Sequence, residues 1–574
     1  MCNPVDAVAT GDHGPPGAAA RVGPVSDVTQ PRDGGRARKA RGAFFTPPEL
    51  CDHLTRWAVR GPGDAVLEPS CGDAEFAVSA ARRLRGLGAA DPHVVGVELH
   101  ADSARQAADR LRAGGFTPRI DVGDFFARPP VPEFDAVVGN PPYVRYQGFT
   151  GDARTAARQA ALAAGVRLSA LASSWAAFTV HAALFLRPHG RLALVLPAEL
   201  LSVNYAAEVR AFLMRRFARV RLVLFTQRVF PGVMEEVVLV QAEGQGPTDH
   251  CELHQVRDLD DLVADDQVVS RWSPRAPGDK WTESLVDPAA RDAYERATSH
   301  AATSCLLDWG ETSLGTVTGN NRYFTLTAAD VDRLALAAED VVPISPPGSK
   351  HLRPLLDLDP GTWARMAGHG ARAWLVSPAG APSAGAQRYF ADGERDAIDQ
   401  AYKCRTRAPW WRPPLLAPPD LLFTYMNADA PRLVGNSARV HHINSVHGVY
   451  LRPGYAEAGG RLLPLAALNS VTLLGAEIVG RAYGGGVLKL EPREADALPV
   501  PSPALLGALA DALGAIRAQA GELVAARRLV DAVAVVDAVV LRDGMDMSAA
   551  DITRLREARA HLHARRTARG RAPA

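Results

Sequence analysis

The sequence lacks the patterns that mark several classes of protein. Only 6 of its 574 residues are cysteine, and none stands in a CxxC pair, so neither a structural zinc site nor a disulfide framework is expected. No apolar run reaches the ~20 residues that span a bilayer. The first residues lack the charged start and apolar stretch of a signal peptide. We therefore expect a cytoplasmic protein with reduced thiols and no bound metal.

The sequence also has almost no excess of charge of either sign. The chain carries 64 Lys and Arg against 63 Asp and Glu, for a net charge of +1. This balance excludes a uniformly basic protein that coats nucleic acid, although a local basic face remains open. Only five residues are lysine. Since this bias and the abundant alanine are typical of a GC-rich genome, arginine frequency alone does not indicate DNA binding.

Shifts in composition predict five segments. Residues 1–40 are rich in Gly, Pro, Ala and Arg and predict a disordered leader. Residues 41–245 alternate apolar strands with helices, which predicts an α/β domain whose mainly parallel sheet binds ligands at the strand carboxyl ends. Residues 246–305 are polar and predict a connection. Residues 306–500, with many Pro and Gly and clustered aromatics, predict an α+β domain, and 501–574 predict a helical region.

Within the first domain the apolar runs predict individual strands and helices. The last two strands are close enough along the chain to be antiparallel neighbours. The predicted strands are 65–68, 94–98, 119–124, 134–139, 191–196, 220–225 and 236–240, and the predicted helices are 76–87, 101–112, 173–186 and 206–217.

Three segments at predicted strand ends suit a nucleoside ligand. The loop 67–76 contains Gly72, where the backbone can approach a ligand near converging helix amides, although Ala74 stands where a second glycine would be expected. Glu98 can accept hydrogen bonds from ribose hydroxyls, or can simply lie beside a helix start. Asp124 can accept from an adenine amino group while Phe125 packs on the ring, or can be a turn residue.

The fourth segment, Asn140-Pro141-Pro142-Tyr143, is more specific. Its prolines fix the backbone so that the carbonyls point outward instead of into a strand ladder. The Asn140 side-chain oxygen and the Pro141 carbonyl then form a pair of acceptors. Such a pair can hold the exocyclic amine of a planar base and favour a nucleophilic nitrogen. Tyr143 offers a face for stacking, worth about 1–3 kcal/mol per base.

In this motif order the chain resembles the Taq-type N6-adenine DNA methyltransferases, whose recognition domain follows the catalytic domain. Residues 41–47 resemble the leading motif, and 229–231 resemble the segment that stacks on the other face of the base. The resemblance implies a Rossmann-like S-adenosylmethionine-dependent sheet. It implies that Asn140, Pro141, Tyr143 and Phe230 are catalytic and that Phe45, Thr46, Pro47, Glu68, Ser70, Gly72, Glu98, Asp124, Phe125 and Pro142 bind the cofactor.

The second domain resembles the target-recognition domain of such enzymes more loosely. Residues 314–324 resemble its opening, and segments near 402–405 and 483–486 resemble later pieces. Polar side chains beside arginine suit groove and phosphate contacts, whereas Trp410 and Trp411 suit a core. A terminal run that begins at Arg565 and Arg566 predicts a solvated helix end. The implied DNA-binding residues are Asn320, Arg322, Lys403, Arg405, Asn436 and Lys489.

The resemblance implies that the enzyme extrudes an adenine from duplex DNA and methylates its N6 by direct displacement, with S-adenosylmethionine as donor. We expect the modification part of a restriction-modification or related defence system, alone or with a separate endonuclease. Alternatives are the same chemistry on RNA or on a protein glutamine, or a non-catalytic DNA-binding subunit of a defence complex. N4 of cytosine, also an exocyclic amine, stays open on chemical grounds.

Overall fold

The structure, a computed structural model, describes residues 46–225, 236–264, 269–483 and 486–568. The predicted leader, Phe45 and Phe230 lie outside these ranges, and the predictions made for them remain predictions.

The first half of the chain forms a mixed sheet. Its strands are β1 Val66–Glu68, β2 Val94–Glu98, β3 Ile120–Val122, β4 Phe134–Gly139, β5 Leu186–Pro197, β6 Arg219–Phe225, β7 Val237–Glu243, β8 Cys251–Val256 and β9 Val269–Trp272. They form a 9-stranded sheet in the order β3-β2-β1-β4-β5-β7-β6-β8-β9. The strands β1 to β5 run parallel, and β7 is antiparallel to both β5 and β6. The predicted parallel sheet with an antiparallel final pair is confirmed.

Helices cover both faces of this sheet. Along β4, Val137 belongs to one apolar core, while Ala136 and Val138 belong to the other. Burial on both faces is what the continuous apolar runs of parallel strands indicate. The helices are α1 Pro48–Ala58, α2 Glu75–Gly86, α3 Ala101–Ala113, α4 Gly151–Ala163, α5 Ser174–Ala183, α6 Glu199–Ser202, α7 Ala207–Arg216 and α8 Leu259–Ala264.

The polar segment predicted as a connection extends the sheet instead. β8 pairs in parallel with β6, and β9 pairs antiparallel with β8. Cys251 and Leu253 of β8 are buried, whereas Glu252 between them forms an ion pair with Arg221 at 2.9 Å. Because only alternate residues of such a strand enter the core, its composition is that of a polar linker.

The second half is built from several small sheets. The strands are β10 Thr303–Cys305, β11 Gly310–Leu314, β12 Thr325–Leu326, β13 Val341–Pro343, β14 Trp374–Val376, β15 Leu421–Phe423, β16 Met426–Asn427, β17 Leu433–Gly435, β18 His447–Leu451, β19 Arg481–Tyr483, β20 Val487–Lys489 and β21 Pro499–Pro501. One sheet has the order β11-β18-β15-β17, and the others have the orders β12-β14-β13, β16-β20-β19 and β10-β21. This irregular arrangement confirms the predicted α+β character.

Helices join these sheets and close the chain, as predicted for the last segment. No single described helix is long and apolar enough to cross a membrane, although the bent pair Pro453–Ala466 and Ser470–Val479 meets that test by length and composition. The helices are α9 Pro288–Ser299, α10 Leu306–Trp309, α11 Asn321–Phe324, α12 Ala328–Arg333, α13 Pro360–Gly368, α14 Ala384–Arg395, α15 Tyr402–Arg405, α16 Ala456–Ala466, α17 Ser470–Val479, α18 Pro492–Asp496, α19 Pro503–Ala508, α20 Ala510–Ala525, α21 Leu529–Asp537 and α22 Ala549–Ala568, with a π-helix at Ala538–Asp543.

The end of α22 differs from its prediction. Arg565 and Arg566 are 7% and 2% exposed, although their sequence predicts a solvated helix end. Arg566 forms a bidentate pair with Glu477 on α17, at 3.0 and 2.8 Å. A charge run is buried here because carboxylates more than 80 residues away neutralise it, and local sequence does not show such partners.

Candidate S-adenosylmethionine and base-binding site

The carboxyl ends of the parallel strands bring most predicted site residues to one edge. The loop after β1 touches the end of β2, since the Gly72 N–H donates to Glu98 Oε2 at 3.0 Å. The end of β3 joins them through the Gly123 N–H, which donates to the Glu98 carbonyl at 2.9 Å. Ligand sites lie at this edge of open α/β sheets because strand carboxyl ends converge there.

Glu98 is the centre of this edge. It is 9% exposed, and its second oxygen, Oε1, accepts from the His100 N–H at 3.0 Å. A carboxylate has about four acceptor positions, so these two backbone bonds orient it and leave capacity for two ribose hydroxyls. The side chain therefore fits the predicted ribose acid.

The loop after β1 adopts the left-handed backbone that favours glycine at Gly72 and also at Ala74, where φ is 50° and 64°. The missing second glycine is thus replaced by an alanine in a glycine-like conformation, at a cost of about 1–2 kcal/mol. A Cβ added at Gly72 would meet no heavy atom within 4 Å. The hydroxyl of Ser70 is buried and has no partner among the described residues. Open space at Gly72, which bonds to Glu98, and an unpartnered hydroxyl two residues earlier fit a bound S-adenosylmethionine.

Glu68 supports this loop from below. It is 2% exposed, and its Oε2 accepts from the Ala77 N–H at 2.8 Å in the first turn of α2. Burial raises the pKa of the Glu68 carboxyl well above its ordinary value of 4.5, and the neighbouring carboxylates raise it further. Glu68 therefore fixes the start of α2, and its predicted contact with the cofactor stays a prediction.

Asp124 and Phe125 follow β3. Asp124 is half-buried, and its Oδ1 accepts from the Phe126 N–H at 3.0 Å. The Phe125 ring is 3% exposed and packs against Phe178 and Phe185 with centroids 5.6 and 5.2 Å apart. The structure thus places Asp124 at the edge but Phe125 in the core, contrary to the prediction that its ring lies on adenine.

The segment 140–143 follows β4 and faces the start of α1. The Asn140 side-chain amide donates to Thr46 Oγ1 at 3.1 Å. Its carbonyl oxygen is buried and has no partner among the described residues. Because one side of the carboxamide is held as a donor, the opposite oxygen is presented as an acceptor. Pro47, the residue just before α1, accepts at its carbonyl from the Leu50 and Cys51 N–H groups at 3.1 and 3.2 Å.

Two further contacts hold this segment rigid. The Tyr143 hydroxyl donates to the Val195 carbonyl on β5 at 3.0 Å, which holds the end of the side chain in place. Ser174, at the start of α5, donates its hydroxyl to the Pro142 carbonyl and accepts from the Val144 N–H at 2.9 Å. Ser174 is absent from the residues predicted by sequence. The only local signal for it is a Ser-Ser pair at a helix start.

The second domain gathers several predicted DNA contacts on one surface. A Cβ added at Gly319 would lie 3.2 Å from the Lys403 Cβ, so the loop before α11 packs on α15. Arg407 ties these segments together, because its Nη2 donates to the Thr318 carbonyl at 2.6 Å. We define the basic face as the exposed side chains Arg322, Lys403 and Arg405.

The other three residues predicted to contact DNA form hydrogen bonds or ion pairs with groups of their own domain. Asn436 is 3% exposed, and its Nδ2 donates to the Pro419 and Val440 carbonyls at 2.8 and 2.9 Å. Its predicted DNA contact is therefore wrong, since it braces a turn. Lys489 pairs with Glu491 at 2.5 Å. Asn320 caps α11 by accepting from the Tyr323 N–H at 3.1 Å.

Trp411 stacks on Phe390 with ring centroids 4.7 Å apart, and Trp410 packs on the same ring at 6.0 Å. Both side chains are partly buried and pack against the apolar clusters of this domain, in the direction of the predicted core role. Among the described residues, no group of three or more His, Cys, Asp and Glu side chains could hold a metal ion.

Two family models match the chain. N-6 DNA methylase covers residues 34–244, and the C-terminal domain of the type II methyltransferase M.Eco57I covers 278–541. The type II methyltransferase M.XamI of Xanthomonas campestris pv. amaranthicola is 26% identical over 82% of this chain and 86% of its own length. M.AccI of Acinetobacter calcoaceticus is 18% identical over 80% of this chain and 84% of its own length.

Among solved structures, the type IIL restriction-modification enzyme MmeI in complex with DNA shares the fold, with a TM-score of 0.57 and 12% identity. The superposition covers 90% of this chain and 75% of that one. Residues 34–244 thus match the N-6 DNA methylase family, and the chain is a restriction-modification DNA methyltransferase whose methyl donor is S-adenosylmethionine.

Proposed function

We propose that the chain methylates N6 of adenine at a specific site in duplex DNA. The observation that carries this proposal is the Asn140 carboxamide, which donates to Thr46 at 3.1 Å and presents a buried, unpartnered oxygen. An amino group on a planar base has N–H donors that need such an acceptor. A ring carbon as the target atom carries no N–H or O–H group that could donate to this oxygen.

The target base lies inside the duplex and must be extruded before it reaches the site. Asn140 Oδ1 and the Pro141 carbonyl then accept from the N6 amino group and favour a lone pair directed out of the ring. Tyr143 lies against one face of the base, with its hydroxyl held by the bond to Val195. We propose Phe230 for the other face.

S-adenosylmethionine supplies a methyl group activated by its sulfonium charge. Glu98 orients the ribose, Asp124 accepts from the adenine amino group, and Pro142 lies beside the methionine end with Thr46 and Pro47. The reaction is a displacement by nitrogen, so the protein contributes position and charge complementarity and no covalent intermediate.

The basic face supplies the contact to duplex DNA. Arg322 on α11 and Lys403 and Arg405 on α15 are exposed, and the loop before α11 packs on α15. Arginine and lysine side chains of this kind bind phosphates and set the position of a protein on the duplex. In this proposal the enzyme works in the bacterial cytoplasm, and its partner is a separate endonuclease or another subunit of a defence system.

The test is a labelling experiment. Purified protein receives radiolabelled S-adenosylmethionine with duplex DNA, RNA or protein, and the labelled acceptor is then hydrolysed. We expect label in N6-methyladenine of duplex DNA, and none with Asn140→Ala protein that still binds the cofactor. Label in N4-methylcytosine would refute the adenine assignment, and label in RNA or glutamine would refute the DNA assignment.

A further inference from the structure

The C-terminal helix α22 ends against the catalytic sheet, at the edge that carries the site. Its residue Arg565 donates through Nε and Nη2 to Glu236 Oε1, at 2.9 and 2.6 Å. The side chains of Arg565 and Glu236 are 5% and 15% exposed. An ion pair withdrawn from water to this extent joins the last helix of the chain to the residue just before β7.

Glu236 lies directly beside the end of β5. Its backbone carbonyl accepts from the Ala198 N–H at 2.7 Å, next to the strand pair Pro197 and Val237. Two residues before Pro197 on β5, the Val195 carbonyl accepts a hydrogen bond from the Tyr143 hydroxyl at 3.0 Å. The ion pair therefore stands at one end of a short backbone connection, and the tyrosine of the base-binding segment stands at the other.

The same turn of α22 is anchored in the second domain. Arg566, the next residue, pairs with Glu477 and also donates to the Ala428 and Asp429 carbonyls at 3.1 and 3.0 Å. Adjacent residues thus hold the two domains, one at the catalytic edge and one in the recognition domain. Because this one turn of α22 bonds to both domains, a shift of one domain moves the groups that it contacts in the other.

Energetics favour a role in geometry for Arg565. Withdrawing two charges from water roughly cancels the attraction between them, so a buried ion pair adds little net stability over an apolar pair. The Nη1 group of Arg565 adds a further cost, because it is buried and has no partner among the described residues. We propose that Arg565 is a positioning residue for methyl transfer, which acts through Glu236 and the β5–β7 edge on Tyr143. This inference rests on the proposed function.

The experiment measures methylation kinetics on duplex DNA for Arg565→Ala, Glu236→Gln and the double variant. We expect kcat to fall by about tenfold to a hundredfold, as for small displacements of a reacting group. The KM for DNA and the Kd for S-adenosylmethionine should stay unchanged, because neither side chain touches those ligands. The double variant should lose no more than the worse single variant, since both remove one interaction. Arg565→Lys should recover part of the loss.

The matched control is Arg296→Ala. Arg296 of α9 pairs at 3.1 Å with Asp551, which lies on α22 like Arg565. The Arg296 side chain is 62% exposed and distant in sequence from the predicted catalytic motifs. We expect wild-type kcat for this variant. Unchanged kcat in the folded Arg565 and Glu236 variants, or losses that multiply in the double variant, would overturn the proposal.

The stoichiometry of S-adenosylmethionine binding distinguishes a loss of folded protein from a loss of positioning in the folded protein. A decrease in binding sites that matches the decrease in kcat would assign the effect to unfolding and would also overturn the positioning role. Wild-type protein that labels no adenine in duplex DNA would instead refute the proposed function, before any variant is compared.

Discussion

The Thr46 hydroxyl accepts a hydrogen bond from the Asn140 side-chain amide at 3.1 Å, across 94 residues of sequence. This bond joins the predicted leading motif to the predicted catalytic motif, and it holds the amide end of the carboxamide. The Asn140 oxygen at the other end is buried and has no partner among the described residues, so we expect that oxygen to face the amino group of the base.

Thr46→Val removes this acceptor with little change of shape. We expect kcat to fall by about tenfold, the effect of one hydrogen bond of about 1–1.5 kcal/mol. Thr46→Ser retains the hydroxyl and is the matched control, with near wild-type kcat. Asn140→Ala should lose more than either. Single-turnover methylation measures all of these variants, and an unchanged rate in Thr46→Val would contradict the orienting role.

Glu98→Ala should weaken S-adenosylmethionine binding by at least about tenfold, because hydrogen bonds to a charged group contribute about 1.5–3 kcal/mol each. Asp124→Ala should also weaken it. Calorimetric titration measures the affinity. The control is Asp121→Ala, which removes a nearby exposed carboxylate that pairs only with Arg128 at 2.6 Å among the contacts described. Equal effects of Glu98→Ala and Asp121→Ala would refute the ribose assignment.

Lys403→Ala and Arg405→Ala should weaken binding to duplex DNA. Each phosphate contact contributes about 0.9 to the slope of log K against log salt concentration, so each variant should reduce the slope by about one. Arg395→Ala is the control, because Arg395 is exposed but pairs with Asp392 on the same helix α14. Binding isotherms at several salt concentrations decide this, and unchanged slopes for both basic-face variants would refute the contact.

Glu68→Gln tests the buried carboxyl through pH. Its pKa is raised in the folded protein by burial first and by neighbouring Asp73, Glu75 and Glu98. The folded state therefore holds the proton more tightly, and this contribution to stability is present at low pH and lost as pH rises through the folded pKa. We expect Glu68→Gln to raise Tm relative to wild type more at pH 8 than at pH 5. The opposite trend would show that the ionised carboxylate is the stable form.

Arg566→Ala should lower the free energy of unfolding by about 3–5 kcal/mol, because it leaves the buried Glu477 carboxylate without its partner. Arg554→Ala is the control on the same helix. Arg554 pairs with Asp551 at 2.9 Å, but its side chain is 47% exposed, so the change should be within about 1 kcal/mol. Denaturant unfolding measures both. A loss below 1 kcal/mol for Arg566→Ala would place that pair in a solvated environment.

The sequence determined the parts of this protein that depend on local pattern. Apolar runs located β2 and β4 to the residue, since strands buried on both faces are continuous in hydrophobicity. Strand-end motifs predicted that Glu98 and Asn140 lie together at one edge, because a parallel sheet brings all strand carboxyl ends there. The resemblance of those motifs to a known family supplied the cofactor and the class of reaction.

Tertiary structure alone decided which of these side chains are available. Glu68, Phe125 and Asn436 match the expected residue types but are buried, each held by neighbours that the local sequence does not indicate. Cys251–Val256 forms a strand of the sheet although its composition is polar, and Arg566 is buried because it pairs with Glu477. Burial and pairing depend on contacts between distant segments, so the local pattern could predict the chemistry of a residue but not its partners.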